Sequence, residues 1–142
     1  MKKFLIAVLF AITSITIQAQ SMVTEISWNQ FNVIYTGLLV LYPDNSGIFR
    51  LHYYLPNLGV VWVQQDATLT NQYDYYGNCT SFINCYNPVS VPHTPYAADN
   101  FIVYPNGSMY AQDAAGNWST LITAQIIPQV YWRSKFIEYG LQ

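Results

Sequence analysis

Charge is scarce in this chain. Of its 142 residues only 8% are Asp, Glu, Lys or Arg. Beyond the first 19 residues the bases are Arg50, Arg133 and Lys135, which against seven acids leave a net charge of −4. Phosphate recognition needs clustered Lys and Arg, so this balance speaks against a nucleic-acid partner. Attachment to anionic lipid headgroups is disfavoured for the same reason. Long apolar runs are missing too. Nothing approaches the roughly 18 uninterrupted apolar residues of a membrane helix, so membrane insertion is not expected.

Chemistry-bearing motifs are equally sparse. There is no Gly-x-Ser-x-Gly elbow and no EF-hand spacing. The two histidines, His52 and His93, and the two cysteines, Cys79 and Cys85, do not make a zinc-ligand set. A glycosidase needs two placed carboxylates, and no spacing here demands such a pair, although Asp74 and Asp99 flank one segment. Turn aspartates Asp44, Asp66 and Asp113 suit local backbone capping better than calcium binding. No catalytic residue, metal ligand or cofactor is assigned from the sequence.

The segment "MKKFLIAVLFAITSITIQAQ" has the layout of a secretory signal peptide. Lys2 and Lys3 precede the apolar run Phe4–Ile12, and small and polar residues follow. Residues 1–19 are read as the signal, cut after Ala19, and residues 20–142 as one secreted or periplasmic domain.

What the chain has in abundance is aromatic residues, at 17%, with Asn, Gln, Ser and Thr. Runs rich in Val, Ile, Tyr, Phe and Trp alternate with Gly, Pro, Asn and Asp, which is strand-and-turn grammar. Strands are expected at 31–42, 48–55, 60–65, 101–104, 108–113 and 118–127, with turns at 43–47, 56–59, 105–107 and 114–117. Residues 128–136 are read as a further strand, although Trp132, Phe136 and Tyr139 also fit one helix face. "VLYPDNSGIF" and "IVYPNGSMY" echo each other, which we read as repeated hairpin chemistry. The expected fold is all-β: a single antiparallel domain of about seven or eight strands joined by hairpins, either a small barrel or a sandwich. The expected core is Leu39, Leu41, Phe49, Leu51, Tyr53, Val61, Val63, Val103, Ile122 and Ile126.

The distinctive stretch is "YYGNCTSFINCYNPVSVPHTPYAADN", residues 75–100. In an oxidising compartment Cys79 and Cys85 are expected to form a disulfide. The long loop after it, stiffened by Pro88, Pro92 and Pro95, is too long for a mere connection. Tyr73, Tyr75, Tyr86, His93, Tyr96, Asp99 and Asn100 are the candidate binding residues. Aromatic faces beside amides and carboxylates suit an extracellular glycan or protein. The leading functional reading is thus a secreted, non-enzymatic binding module with a neutral partner. The alternatives are a self-associating structural protein of a matrix or surface layer, and a small extracellular hydrolase.

Overall fold

The computed structural model describes residues 22–141. The expected signal peptide lies outside them. Eight strands follow in order: β1 (Met22–Gln30), β2 (Val33–Leu41), β3 (Ser46–Leu55), β4 (Gly59–Tyr73), β5 (Cys79–Val91), β6 (Asn100–Val103), β7 (Met109–Gln112) and β8 (Thr123–Ile126). A 3₁₀ turn (Gln129–Tyr131) and a short helix, α1 (Trp132–Glu138), end the described chain. Every pairing is antiparallel. β1 to β7 form a meander, and β8 returns to the free side of β1. Residues 118–122 first run beside β7, with Ser119 N bonded to Ala111 O (2.8 Å) and Ile122 N to Met109 O (2.9 Å). One segment therefore bridges both margins of the sheet, and the sheet is a nearly closed barrel.

The expected hairpin grammar is visible in the turns. At residues 42–46, 74–78, 104–108 and 113–117 the same two bonds recur, from the first residue's N–H to the fifth carbonyl and from the fourth N–H back to the first carbonyl. The fourth residue is in each case left-handed: Asn45, Gly77, Gly107 and Gly116. Asn and Gly bear that conformation at least cost. The echo between 40–49 and 102–110 is thus one turn used twice. The β1–β2 turn departs from this grammar. Its two residues are Phe31 (φ 53°) and Asn32 (φ 62°), the pair of positive φ values that a two-residue hairpin of matching twist requires. Phe is rarely found there, so residue 31 reads as strand in the sequence while the chain in fact reverses.

Alternation fills the barrel. Ile26, Trp28, Leu39, Leu41, Phe49, Leu51, Tyr53, Val61, Val63, Ala67, Ile83, Phe101 and Ile122 form the inner core. Gly37 faces inward among them, and a Cβ there would come within 2.5 Å of the Phe49 ring. Of the expected core, Val103 is half-buried against this cluster. Ile126 is 68% exposed, because β8 has only four residues and it is Ile127 that turns into the structure.

A second cluster lies on the outside. Val23, Leu38 and Val40 face outward from β1 and β2, yet they are buried. The C-terminal segment covers them with Trp132, Phe136 and Tyr139. That requirement decides the conformation of 128–138, where the expected strand is replaced by the 3₁₀ turn and α1. An apolar stripe of helical period packs on the outer sheet face, where a strand at the margin would have left Val23 and Leu38 bare.

The long loop expected at 87–100 is mostly strand. β5 continues to Val91, passing Pro88 at a bulge where Asn87 and Pro88 together oppose Gln65. A bulge is the position at which a strand tolerates proline, which lacks an N–H. Only residues 92–99 remain as connection. The expected disulfide is also overturned: Cys79 and Cys85 are both free thiols. They lie six residues apart on one extended strand, about 20 Å. A disulfide needs Cα atoms roughly 4.4–6.8 Å apart. The loop is therefore not disulfide-tethered.

Candidate functional site at the barrel mouth

The strand directions divide the connections between two ends. The β1–β2 turn, the β3–β4 turn, residues 92–99 and the 113–117 turn share one end. The 42–46, 74–78 and 104–108 turns share the other. This division splits the sequence-derived candidate face. Tyr73 and Tyr75 sit on the β4–β5 hairpin, exposed, at the second end. Tyr86 faces outward from the middle of β5. His93 is exposed in the 92–99 segment. Asn100 opens β6, paired with Asn84 and Gln112. Only Tyr96 and Asp99 come together, and they do so inside the first end. Asp74 is on the opposite hairpin, so Asp74 and Asp99 do not meet.

At the first end the barrel opens into a cavity of about 480 Å³. Neighbouring strands supply a row of rings. Trp28 of β1 stacks on Tyr35 of β2 (centroids 5.1 Å apart), Tyr35 meets Tyr53 of β3 (5.1 Å), and Tyr53 meets Tyr96 (5.7 Å). Trp28 also meets the edge of Phe101 at 5.4 Å, which ties the row to the core. Phe31, Leu55 and Leu58 complete the apolar lining. Trp28 and Tyr35 are register partners, so the first stack follows directly from strand pairing.

The polar element is Asp99, whose side chain is buried. Gln65 holds it at two points: Nε2 donates to Asp99 Oδ2 (2.6 Å) and Oε1 accepts from the Asp99 N–H (3.0 Å). The Tyr96 hydroxyl donates to Oδ2 (2.9 Å) and lies 3.1 Å from Oδ1. Burial raises the Asp99 carboxyl to about 6, against the opposing bonds from Gln65 and Tyr96. Burial, with the Asp99 charge second, pushes the Tyr96 hydroxyl well above the tyrosine range. Burial likewise raises Tyr35, with smaller contributions from Tyr53 and Asp99. Ser90 and Thr94 lash the start of the segment, with Thr94 N–H bonded to Ser90 Oγ at 2.8 Å. Thr94 Oγ1 in turn lies 3.3 Å from the Tyr53 hydroxyl.

One of the lining residues carries a buried polar atom without a partner among the described residues. Trp28 is 3% exposed, and its Nε1–H is bonded to nothing among the described residues. A buried donor left unpaired costs about 1–3 kcal/mol, so such atoms are uncommon. Sequence reasoning missed Trp28, Tyr35, Tyr53 and Gln65 as site residues, because each looks like an ordinary inward strand residue. The available signal was the aromatic run along β1 to β3, which is richer than a core alone needs.

The described residues contain no group of three or more His, Cys, Asp or Glu placed to hold a metal ion. Asp44, Asp74 and Asp113 instead accept bonds within their own turns, from Ser46, from Tyr76 and Asn78, and from Asn117. No helix of the described chain is long and apolar enough to cross a membrane. No protein-family model, curated protein or solved structure matches the chain.

Proposed function

We propose that this protein is an exported, non-enzymatic binding module whose site is the barrel mouth, and that its ligand is a small polar organic molecule. The observation that carries this reading is the cavity of about 480 Å³ lined by Trp28, Tyr35, Tyr53, Tyr96 and Asp99. Its size falls in the range of small-molecule sites, which are apolar concavities with a few placed polar groups. Small antiparallel barrels hold ligands at such mouths. The Gln65–Asp99–Tyr96 network supports a preorganised site, because it ties the 92–99 segment to the barrel before any ligand arrives.

A second reading is contact with a glycan or protein at the opposite end. It is favoured by Tyr75 and Tyr76 on the β4–β5 turn, which are 96% and 85% exposed with their rings edge to face. Nuclear magnetic resonance titration with a library of small polar compounds separates the two. The mouth reading expects shifts of the Trp28 indole N–H and of residues 92–99. Shifts confined to residues 73–78 would transfer the site to the hairpin.

A further inference from the structure

We propose that the ligand of the mouth is a small organic ammonium ion that also carries an oxygen acceptor, an inference that rests on the mouth being the binding site. Charge is the first ground. Among the described residues the cavity lining includes two carboxylates, Asp99 and Asp113, and no Lys, Arg or His. The ion pairs among the described residues join Lys135 to Glu25 and Glu138, on the outer face of the barrel. Among the described residues the Asp99 carboxylate is held only by neutral donors, the Gln65 amide and the Tyr96 hydroxyl. A carboxylate buried without a counter-ion is costly unless something charged arrives to pair with it. An asparagine could have linked Gln65 to the loop without that cost, so the charge is not needed for the fold.

The aromatic lining is the second ground. Trp28, Tyr35, Tyr53 and Tyr96 line one cavity, and aromatic rings attract cations through their quadrupole, most strongly where water is excluded. Trp28 is the third. A ligand that parts the lining enough to reach its buried, unpartnered Nε1–H must offer an acceptor atom, which a bare alkylammonium lacks. A neutral sugar would satisfy Trp28 and leave Asp99 unpaired. A carboxylate or phosphate would meet the Asp99 charge. A cation with a hydroxyl or carbonyl oxygen meets all three features together.

The proposal predicts a pH dependence. Asp99, raised to about 6 by burial, is ionised near pH 8 and protonated near pH 5. The titratable groups around it are Tyr96 of the connecting segment, Tyr35 and Tyr53 of β2 and β3, and Cys85 of β5. Tyr96, Tyr35 and Cys85 are all pushed upward and stay neutral in this window. Asp113, at the rim, has its carboxyl held low, chiefly by the Asn117 N–H, and keeps its charge throughout.

Calorimetric titration with three probes is the test. Choline has the cation and an oxygen, tetramethylammonium has the cation alone, and 3,3-dimethylbutan-1-ol is the neutral carbon copy of choline. Near pH 8 choline should bind at least about tenfold more tightly than its neutral copy, and more tightly than tetramethylammonium. The preference over the neutral copy should fall towards one near pH 5, and also in Asp99→Asn. The pH series on the unaltered protein decides the matter should that variant not fold. Equal binding of choline and its neutral copy near pH 8, with both shifting Trp28 and residues 92–99, overturns the cation inference and leaves the mouth site standing. No response at the mouth to any probe at millimolar concentration overturns both.

Discussion

The Tyr139 hydroxyl donates to Glu25 Oε2 over 2.6 Å, a bond between residues 114 positions apart. Lys135 reaches the same carboxylate at 3.1 Å, and Arg50 Nε donates to the Tyr139 carbonyl while its guanidinium lies over Trp62. These contacts fasten α1 to the outer face of β1 and β3. Burial alone would raise Glu25, but Tyr139 and Lys135 outweigh it and hold its carboxyl below the usual range. Tyr139→Phe keeps the ring and removes this bond. The expected loss is about 1–2 kcal/mol in urea unfolding, with faster amide exchange in 132–139. Unchanged exchange there would mean that apolar packing alone docks the helix.

Stability should rise as pH falls from about 7 to about 5. A carboxyl whose folded pKa lies above its unfolded value contributes stability that is present below the unfolded value and lost as pH rises through the folded one. Asp99, raised from 3.8 to about 6, is that case, and the shift corresponds to roughly 3 kcal/mol. Glu25 and His52 have the opposite sign: the Glu25 contribution disappears only in more acidic solution, whereas His52, held low chiefly by burial, works against the rise within this window through a smaller shift than that of Asp99. Thermal unfolding across this range should show the rise, and Asp99→Asn should flatten it. A wild-type midpoint that falls steadily from pH 7 to pH 5 would contradict the assignment.

Gly37→Ala should destabilise the barrel by roughly 1–3 kcal/mol. The new methyl would press against Phe49 and Leu51, both of them fully buried. Chemical denaturation measures this directly. Full stability in the variant would show that the Phe49 ring has room to move.

Both cysteines should titrate as thiols under non-reducing conditions. Cys79 is half-buried and should react with a thiol reagent in the native state. Cys85 is buried, with its thiol pushed upward by burial, and should react only on unfolding. Finding a Cys79–Cys85 disulfide in the folded protein would refute the β5 assignment, since the strand holds them too far apart.

Expression with the full N-terminal segment should yield an exported product whose intact mass begins at or near Gln20. A cytoplasmic product retaining Met1 would contradict export.

The sequence revealed elements whose signal is local. Alternation in 48–55 placed Phe49, Leu51 and Tyr53 inward and Arg50 outward, and the Pro-Asn-Gly turns appear as expected. It was misleading where the determinant is distant. Val23 and Leu38 are buried only because α1 arrives from more than 90 residues away. Asn84, Asn87 and Pro88 make the second half of 79–91 read as loop, and β5 holds its place through pairing with the long β4. The site was half legible. Asp99 and Tyr96 stood out beside their prolines, whereas Trp28 and Gln65 acquire significance only when barrel closure brings β1, β4 and residues 92–99 to one opening.

The closing segment also orders events in time. Residues 118–141 leave the ribosome after the seven strands they close, and they bring both the strand that seals β1 against β7 and the helix that covers Val23, Leu38 and Val40. Until they arrive the sheet has two unpaired margins and a bare apolar flank, the features that invite association between chains. Contacts of such long sequence separation are also slow to form. The barrel thus cannot close until these residues have emerged. A chain halted before residue 118 would be recognisable to any protease by its open edge.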